Sequence, residues 1–270
     1  MVLELFDRRF AHQLRKDHKL KPWTSDIERQ YHDFVHDGCA SEFITRLNND
    51  SKMAEGEGDT RNDPQNEAYL HDYTQDLCET EVEVYQTLKN IQGKDIPQLF
   101  ACLTVPSSSS SQELSVKKYT DVPGVLLQYI DGFLLTDMAA HAPQEVWQSV
   151  RDDTIQIVNP IGDRGILNED VKTRSFIVQE NLWRKFKGFM IDFALCNFHR
   201  SMGMKQNGGN GKQSRIKRGQ WDLSCRSICM EALSTVDLLD INSWTGDSRW
   251  QTCTGSRSML KDALTLLFSS

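Results

Sequence analysis

Two short apolar runs, each delivering an aspartate at its edge, constrain this chain more than any other feature. Gly165-Ile166-Leu167-Asn168-Glu169-Asp170 turns Asp170 out of a first strand, and Met190-Ile191-Asp192-Phe193-Ala194 ends a second one at Asp192, 22 residues later. Short runs of Ile, Leu, Val and Phe bounded by turn residues read as strands. Taken singly, each aspartate is an ordinary hairpin residue. As an ordered pair they suit a transfer reaction in which one carboxylate meets an acceptor hydroxyl and the other holds a metal ion.

The rest of the chain supplies elements around that pair. Val2-Leu3-Glu4-Leu5-Phe6 reads as a short strand carrying one charge. Residues 7–75 follow with apolar positions at helical spacing: Phe10, Leu14, Leu20 and Trp23, then Ile27, Tyr31, Phe34 and Val35. Pro22 and Thr24-Ser25-Asp26 separate two helices and cap the second, and residues 41–48 suggest another short one. Lys52 to Asn66, rich in Gly, Asp, Glu and Asn, reads as a loop. The strongest helix is Glu67 to Asn90. Its stripe is Tyr69, Leu70, Tyr73, Leu77, Val84, Tyr85 and Leu88, with acids expected on the opposite face. Ile96 to Val105 reads as a strand entered through a proline turn. Ser107 to Ser111 reads as a hairpin loop, and Gly124 to Gly132 as a buried strand ending in a turn. Pro143 to Gly162 is an amphipathic helix that Pro160 should partly break.

Composition excludes several classes. The longest apolar runs fall well short of the roughly 20 residues that a membrane helix needs. The acids among the first nine residues do not suit a signal peptide. Seven scattered cysteines form no C-x-x-C pair, which reads as reduced thiols in the cytosol or nucleus. His32 and His36 stand one helical turn apart, with no second pair to complete a metal site. Net charge is split abruptly. Residues 1–199 hold 21 Lys/Arg against 32 Asp/Glu (−11), and residues 200–270 hold 10 against 6 (+4).

With these elements in place, Asn168-Glu169-Asp170 and Asp192-Phe193-Ala194 resemble the H-R-D and D-F-G patterns of the protein-kinase-like superfamily. The surrounding text is similar to a group of fungal kinase-like proteins. The resemblance covers residues 1–199. It implies an α+β, protein-kinase-like two-lobe fold, its N-terminal lobe lacking the glycine-rich loop and its C-terminal lobe truncated. Residues 7–75 would be a helical insertion, 124–132 the hinge region and 143–199 a partial C-terminal lobe. The resemblance also assigns roles. Asp170 would be the catalytic carboxylate and Lys172 the lysine beside the transferred phosphate. Asp192 and Ser175 would be the metal pair, with Ser175 standing where the family has asparagine. Gln128, Tyr129 and Ile130 would be nominal adenine contacts, and Glu81 the helix glutamate that pairs with a strand lysine.

At that lysine's position this chain has Glu4, and a carboxylate repels phosphate where an ammonium would bind it. Ala194 replaces the glycine after the metal aspartate. The implied function is therefore a catalytically impaired kinase-like protein (a pseudokinase) acting as a binding or scaffold module for an unidentified protein partner. The alternative is an ATP-dependent protein kinase or small-molecule phosphotransferase, and a third reading is an inert product of a damaged gene. ATP and Mg2+ are the cofactors if it is active, and none otherwise. Neither membrane nor nucleic acid is expected as a partner, and the location is cytoplasmic with the nucleus left open. Residues 200–270 read as an irregular, out-of-frame tail. One base earlier, residues 208–226 can be re-read as acidic, Trp-bearing text like that of the fungal group.

Overall fold

The chain enters on β1 (Val2–Leu5), which pairs antiparallel with β3 (Val122–Leu127); β3 also pairs antiparallel with β2 (Leu99–Val105), giving the strand order β1-β3-β2. The structure is a computed structural model that describes residues 1–49, 61–107, 113–181, 183 and 185–198, all within one unit, Met1–Ser234. In this sheet Glu4, Val125 and Cys102 are in register and share one face. Gly124 lets β1 approach: a Cβ there would lie 2.6 Å from the Glu4 carbonyl oxygen and 2.7 Å from a Leu5 methyl.

Between β1 and β2 lies the helical segment. A short helix, α1 (His12–Asp17), is followed by α2 (Ser25–His36), α3 (Cys39–Asn49) and the long α4 (Asp63–Thr87). The Thr24 hydroxyl caps α2 by accepting the Ile27 N–H at 3.2 Å, as its sequence predicts. The helix expected from Glu67 begins four residues earlier, inside the span read as loop. Asn62 caps it, Gln65 completes a capping box and Pro64 sits in the first turn, where no amide is needed. Residues 50–60 of that span lie outside the described residues.

Helices α2 and α3 cover the first half of α4. Tyr31, Val35, Ala40, Phe43, Ile44 and Leu47 pack with Ala68 of α4 and with Val116 and Tyr119. The last two belong to α5 (Leu114–Thr120), a helix that the reading of 107–111 as a simple hairpin loop did not foresee. Each fully buried Val, Ile, Leu or Phe among them contributes about 1.5–3 kcal/mol, and the Tyr31 hydroxyl is satisfied by the Tyr119 carbonyl at 2.6 Å.

A second correction concerns the acids of α4, which do not all lie opposite its apolar stripe. Glu67 is 1% exposed and accepts hydrogen bonds from Arg8 (2.5 Å) and Arg15 (2.8 and 2.7 Å). Arg8 also reaches Glu28 at 2.8 Å and lies over the Tyr31 ring, and Trp23 donates to Glu28. Two arginines and two glutamates thus bind the segment after β1 to the start of α4.

After β3 the chain forms β4 (Phe133–Leu134), the short α6 (Met138–His141) and α7 (Trp147–Asp163). Pro160 lies inside α7 without ending it. β5 (Ile166–Asn168) pairs with β8 (Cys196–Phe198), while β6 (Phe176–Glu180) joins β4 and β7 (Phe186–Met190) in a second three-stranded antiparallel sheet. Asp95, in the link from α4 to β2, ties that link to β7: its carbonyl accepts the Met190 N–H at 2.9 Å. Its carboxylate and that of Asp153 both hold Lys187, and Asp153 accepts the Gly188 N–H as well. The fold is therefore mixed α and β with small antiparallel sheets. No described helix is long and apolar enough to cross a membrane. The expected tail, 200–270, lies outside the described residues, as do residues 108–112 of the serine-rich segment.

Candidate functional site

Gly165, at φ +73°, makes the turn that sends the chain into β5, and β5 ends on a buried Asn168. The Asn168 carboxamide works in two directions: its oxygen accepts the Asp170 N–H and its nitrogen donates to the Asp192 carbonyl, each at 2.9 Å. That clasp joins the two aspartate-bearing loops. Asp192 lies in the left-handed region, φ +67°, which non-glycine residues adopt only when their surroundings hold them there. Ile191 N–H to the Ser175 carbonyl, 2.9 Å, provides one such restraint.

The loop after Asp170 closes on itself. Lys172 and Arg174 both reach the Asp170 carboxylate, Arg174 at 2.6 Å. Ser175 is 1% exposed; its hydroxyl donates to the Asp170 carbonyl and accepts the Lys172 N–H, each at 3.2 Å. The Ser175 hydroxyl is thus engaged within the loop, and the Asp170 carboxylate is engaged by two cations. Arg174 was not singled out from the sequence, although its i,i+4 spacing from Asp170 is visible there. Asn168 was read only as a position in a motif, because its role depends on a residue 24 positions away.

Asp192 also acts electrostatically on Glu4 and Glu81. Asp192 is exposed to solvent, yet partial desolvation of its carboxylate raises its affinity for protons and the Asp170 charge raises it further, while Arg174, the Ala194 amide and Lys172 oppose the shift. Glu4 is pushed up to about 7, first by burial and then by the charge of Asp192. Glu81 is 0% exposed, with no hydrogen-bond partner on either carboxylate oxygen. Burial, then Glu4 and Asp192, push it well above the usual carboxylate range, eased only by the nearby Phe193 amide. The Tyr85 hydroxyl, one turn further along α4, is also buried without a partner and is pushed up by burial and by all three acids. Its ring meets Phe193 edge-on at 5.4 Å.

The structure therefore gathers Asp170, Lys172, Ser175 and Asp192 at the loops and sets Glu81 against Glu4 and Asp192. Gln128, Tyr129 and Ile130 follow β3. Gln128 exchanges hydrogen bonds with Gln98, Tyr129 is 51% exposed and Ile130 is buried. Among the described residues, no three His, Cys, Asp or Glu side chains are arranged to hold a metal ion.

No protein-family model matches this chain, and no curated protein matches it. Among solved structures it is similar to the bifunctional kinase-methyltransferase WbdD, with a TM-score of 0.35 and 14% identity over 49% of this chain and 25% of that one. The chain thus spans about a quarter of that protein's length. A likeness at that level leaves the functional argument to the chain's own residues.

Proposed function

We propose that this chain is a catalytically impaired kinase-like protein, a pseudokinase that works as a binding or scaffold module for another protein. The supporting observation is the pairing of Glu4 with Glu81: two acids meet where a lysine–glutamate pair would hold a nucleotide's phosphates, and Asp192 adds a third negative charge. At an effective dielectric of about 20, one unit-charge interaction at 4 Å is about 4 kcal/mol before screening. Exchanging a cation for an anion changes the field on a phosphate by two such charges. In this reading the chain carries no cofactor. The Asn168 clasp keeps the loops in register, while the Asp170 carboxylate is neutralised by Lys172 and Arg174.

The second reading is an ATP-dependent phosphotransferase on protein or small-molecule hydroxyls. Its support is the joint presence of Asp170 and Asp192 on clasped loops. Calorimetry with ATP, with and without magnesium, separates the two. The pseudokinase reading expects no binding at ordinary concentrations. It also expects a gain in affinity on Glu4→Lys without phosphoryl transfer. Micromolar, magnesium-dependent ATP binding abolished by Asp192→Ala would overturn that reading and promote the enzyme.

A further inference from the structure

The turn between α1 and α2 and the opening of α4 border a cavity of about 520 Å³, inside the range of about 300–1,000 Å³ usual for small-molecule sites. Lys19, Leu20 and Lys21 form one wall and Gln30 of α2 a second; Arg61, Asn62 and Asp63 head the third. Among the described lining residues, three cations thus stand against one acid.

The walls are tied together beneath the surface. Helix α1 stops in a Schellman turn, the Lys19 N–H bonding the Lys16 carbonyl at 3.1 Å and the Leu20 N–H the Arg15 carbonyl at 2.7 Å. The Arg15 guanidinium then reaches the Lys21 carbonyl at 3.1 Å and grips Glu67 of α4 at 2.8 and 2.7 Å. The turn bearing Lys19 and Lys21 is therefore fixed relative to the helix start bearing Asp63, and the Lys21 ammonium meets the Asp63 carboxylate at 2.8 Å. Arg61 lies over the Tyr69 ring at 4.3 Å, and its carbonyl accepts from the Asn66 amide. Lys19 sits at φ +55°, a turn position that ordinarily takes glycine or asparagine. The helix end adds little, because Asn62 and Gln65 already cap it; the site rests on side chains held in place before any ligand arrives.

Those side chains are of two kinds. Lys19, Lys21 and Arg61 carry the positive charge that a phosphate requires, and the arginine fork matches two of its oxygens. Asp63 would repel a phosphate but accepts from hydroxyl groups, and the amides of Gln30 and Asn62 can do the same or donate. No described lining residue is aromatic, and the Tyr69 ring is covered by Arg61, so a nucleobase has nothing to stack on. We propose that this cavity binds a phosphorylated polyol, with its phosphate on Lys19, Lys21 and Arg61 and its hydroxyls on Asp63, Gln30 and Asn62. The site shares no residue with the aspartate loops and does not depend on the pseudokinase reading.

Calorimetry of the full chain with glucose 6-phosphate, glucose, inorganic phosphate and ATP tests the proposal. Glucose 6-phosphate should bind more tightly than glucose or inorganic phosphate, each of which offers half of the required groups. Lys19→Asn removes one cation while suiting the left-handed backbone, so the variant should melt no lower than the parent. Its affinity for glucose 6-phosphate should fall about tenfold or more, the loss of one hydrogen bond to a charged group. Any ATP binding at the aspartate loops should be unchanged by Lys19→Asn, which separates this result from that of the pseudokinase reading. No binding of glucose 6-phosphate at millimolar concentration would overturn the proposal, as would an unchanged affinity in Lys19→Asn. Inorganic phosphate binding as tightly would reduce the site to a general anion patch, and ATP displacing glucose 6-phosphate would refute the ligand class.

Discussion

Glu67→Gln tests whether the helical segment after β1 is held by charge as strongly as its geometry indicates. The carboxylate accepts three hydrogen bonds from Arg8 and Arg15 at 2.5–2.8 Å, and the side chains of Arg8, Arg15 and Glu67 are all at most 6% exposed. A glutamine at this position would keep the shape but lose the charge and one acceptor oxygen, leaving the Arg8 guanidinium with Glu28 alone and the Arg15 guanidinium with only the Arg8 and Lys21 carbonyls. Removing one partner of a buried ion pair costs about 3–5 kcal/mol, mostly because the remaining charge is stranded. The expected loss is at that level, a large fraction of the roughly 5–15 kcal/mol that holds a typical domain together. Urea unfolding measures it, with the midpoint falling and the slope unchanged. The loss should also vary little with salt, since buried pairs are poorly screened. A loss under about 1 kcal/mol, the value of a surface pair, would refute the reasoning and mean that water reaches the arginines.

Asn168→Ala should cost about 1–3 kcal/mol, roughly 0.5–1.5 kcal/mol for each of the two part-buried hydrogen bonds it removes from the Asp170 N–H and the Asp192 carbonyl. Hydrogen exchange should show the Asp170 amide losing protection. Gly132→Ala should destabilise by roughly 1–3 kcal/mol or more, because its Cβ would lie 2.3 Å from the Val178 carbonyl oxygen, which is sheet backbone and cannot swing away; a denaturation midpoint reads this directly. His71, pushed down to about 4 by burial, is held neutral while its ring bonds the Lys118 carbonyl at 2.9 Å. Its stabilisation is complete above pH 6.5 and is lost as pH falls through 4, roughly 3 kcal/mol in all. In melts across that range, His71→Gln should flatten the acid limb.

What could be read from the sequence was what local spacing controls. Thr24 before an apolar repeat announces α2, and the runs around Asp170 and Asp192 announce strands, because capping and alternation act within a few residues. The start of α4 was also written locally, in Asn62, Pro64 and Gln65, but a stretch rich in Gly, Asp and Asn obscured it. The burial of Glu67 and Glu81 was not legible. A helical period separates faces, but it cannot reveal that an acid's partners stand 52 and 59 residues away at Arg15 and Arg8, or that Glu4 comes to oppose Glu81. The same holds for the site: the two aspartates were visible, whereas the clasp between their loops was not.

The tie at Asp95 makes this part of the molecule forgiving of mutation. One ammonium, Lys187, serves two carboxylates, so either Asp95 or Asp153 can be lost while the lysine retains a counterion. The Asp95 carbonyl would continue to accept the Met190 N–H whatever side chain it carried. Loss of Asp95 alone should therefore be nearly silent, loss of Asp153 should cost more because the Gly188 N–H then loses its acceptor, and the double substitution should cost more than the sum of the two. A lineage can drift through loss of Asp95 at little cost, but that change closes off the loss of Asp153.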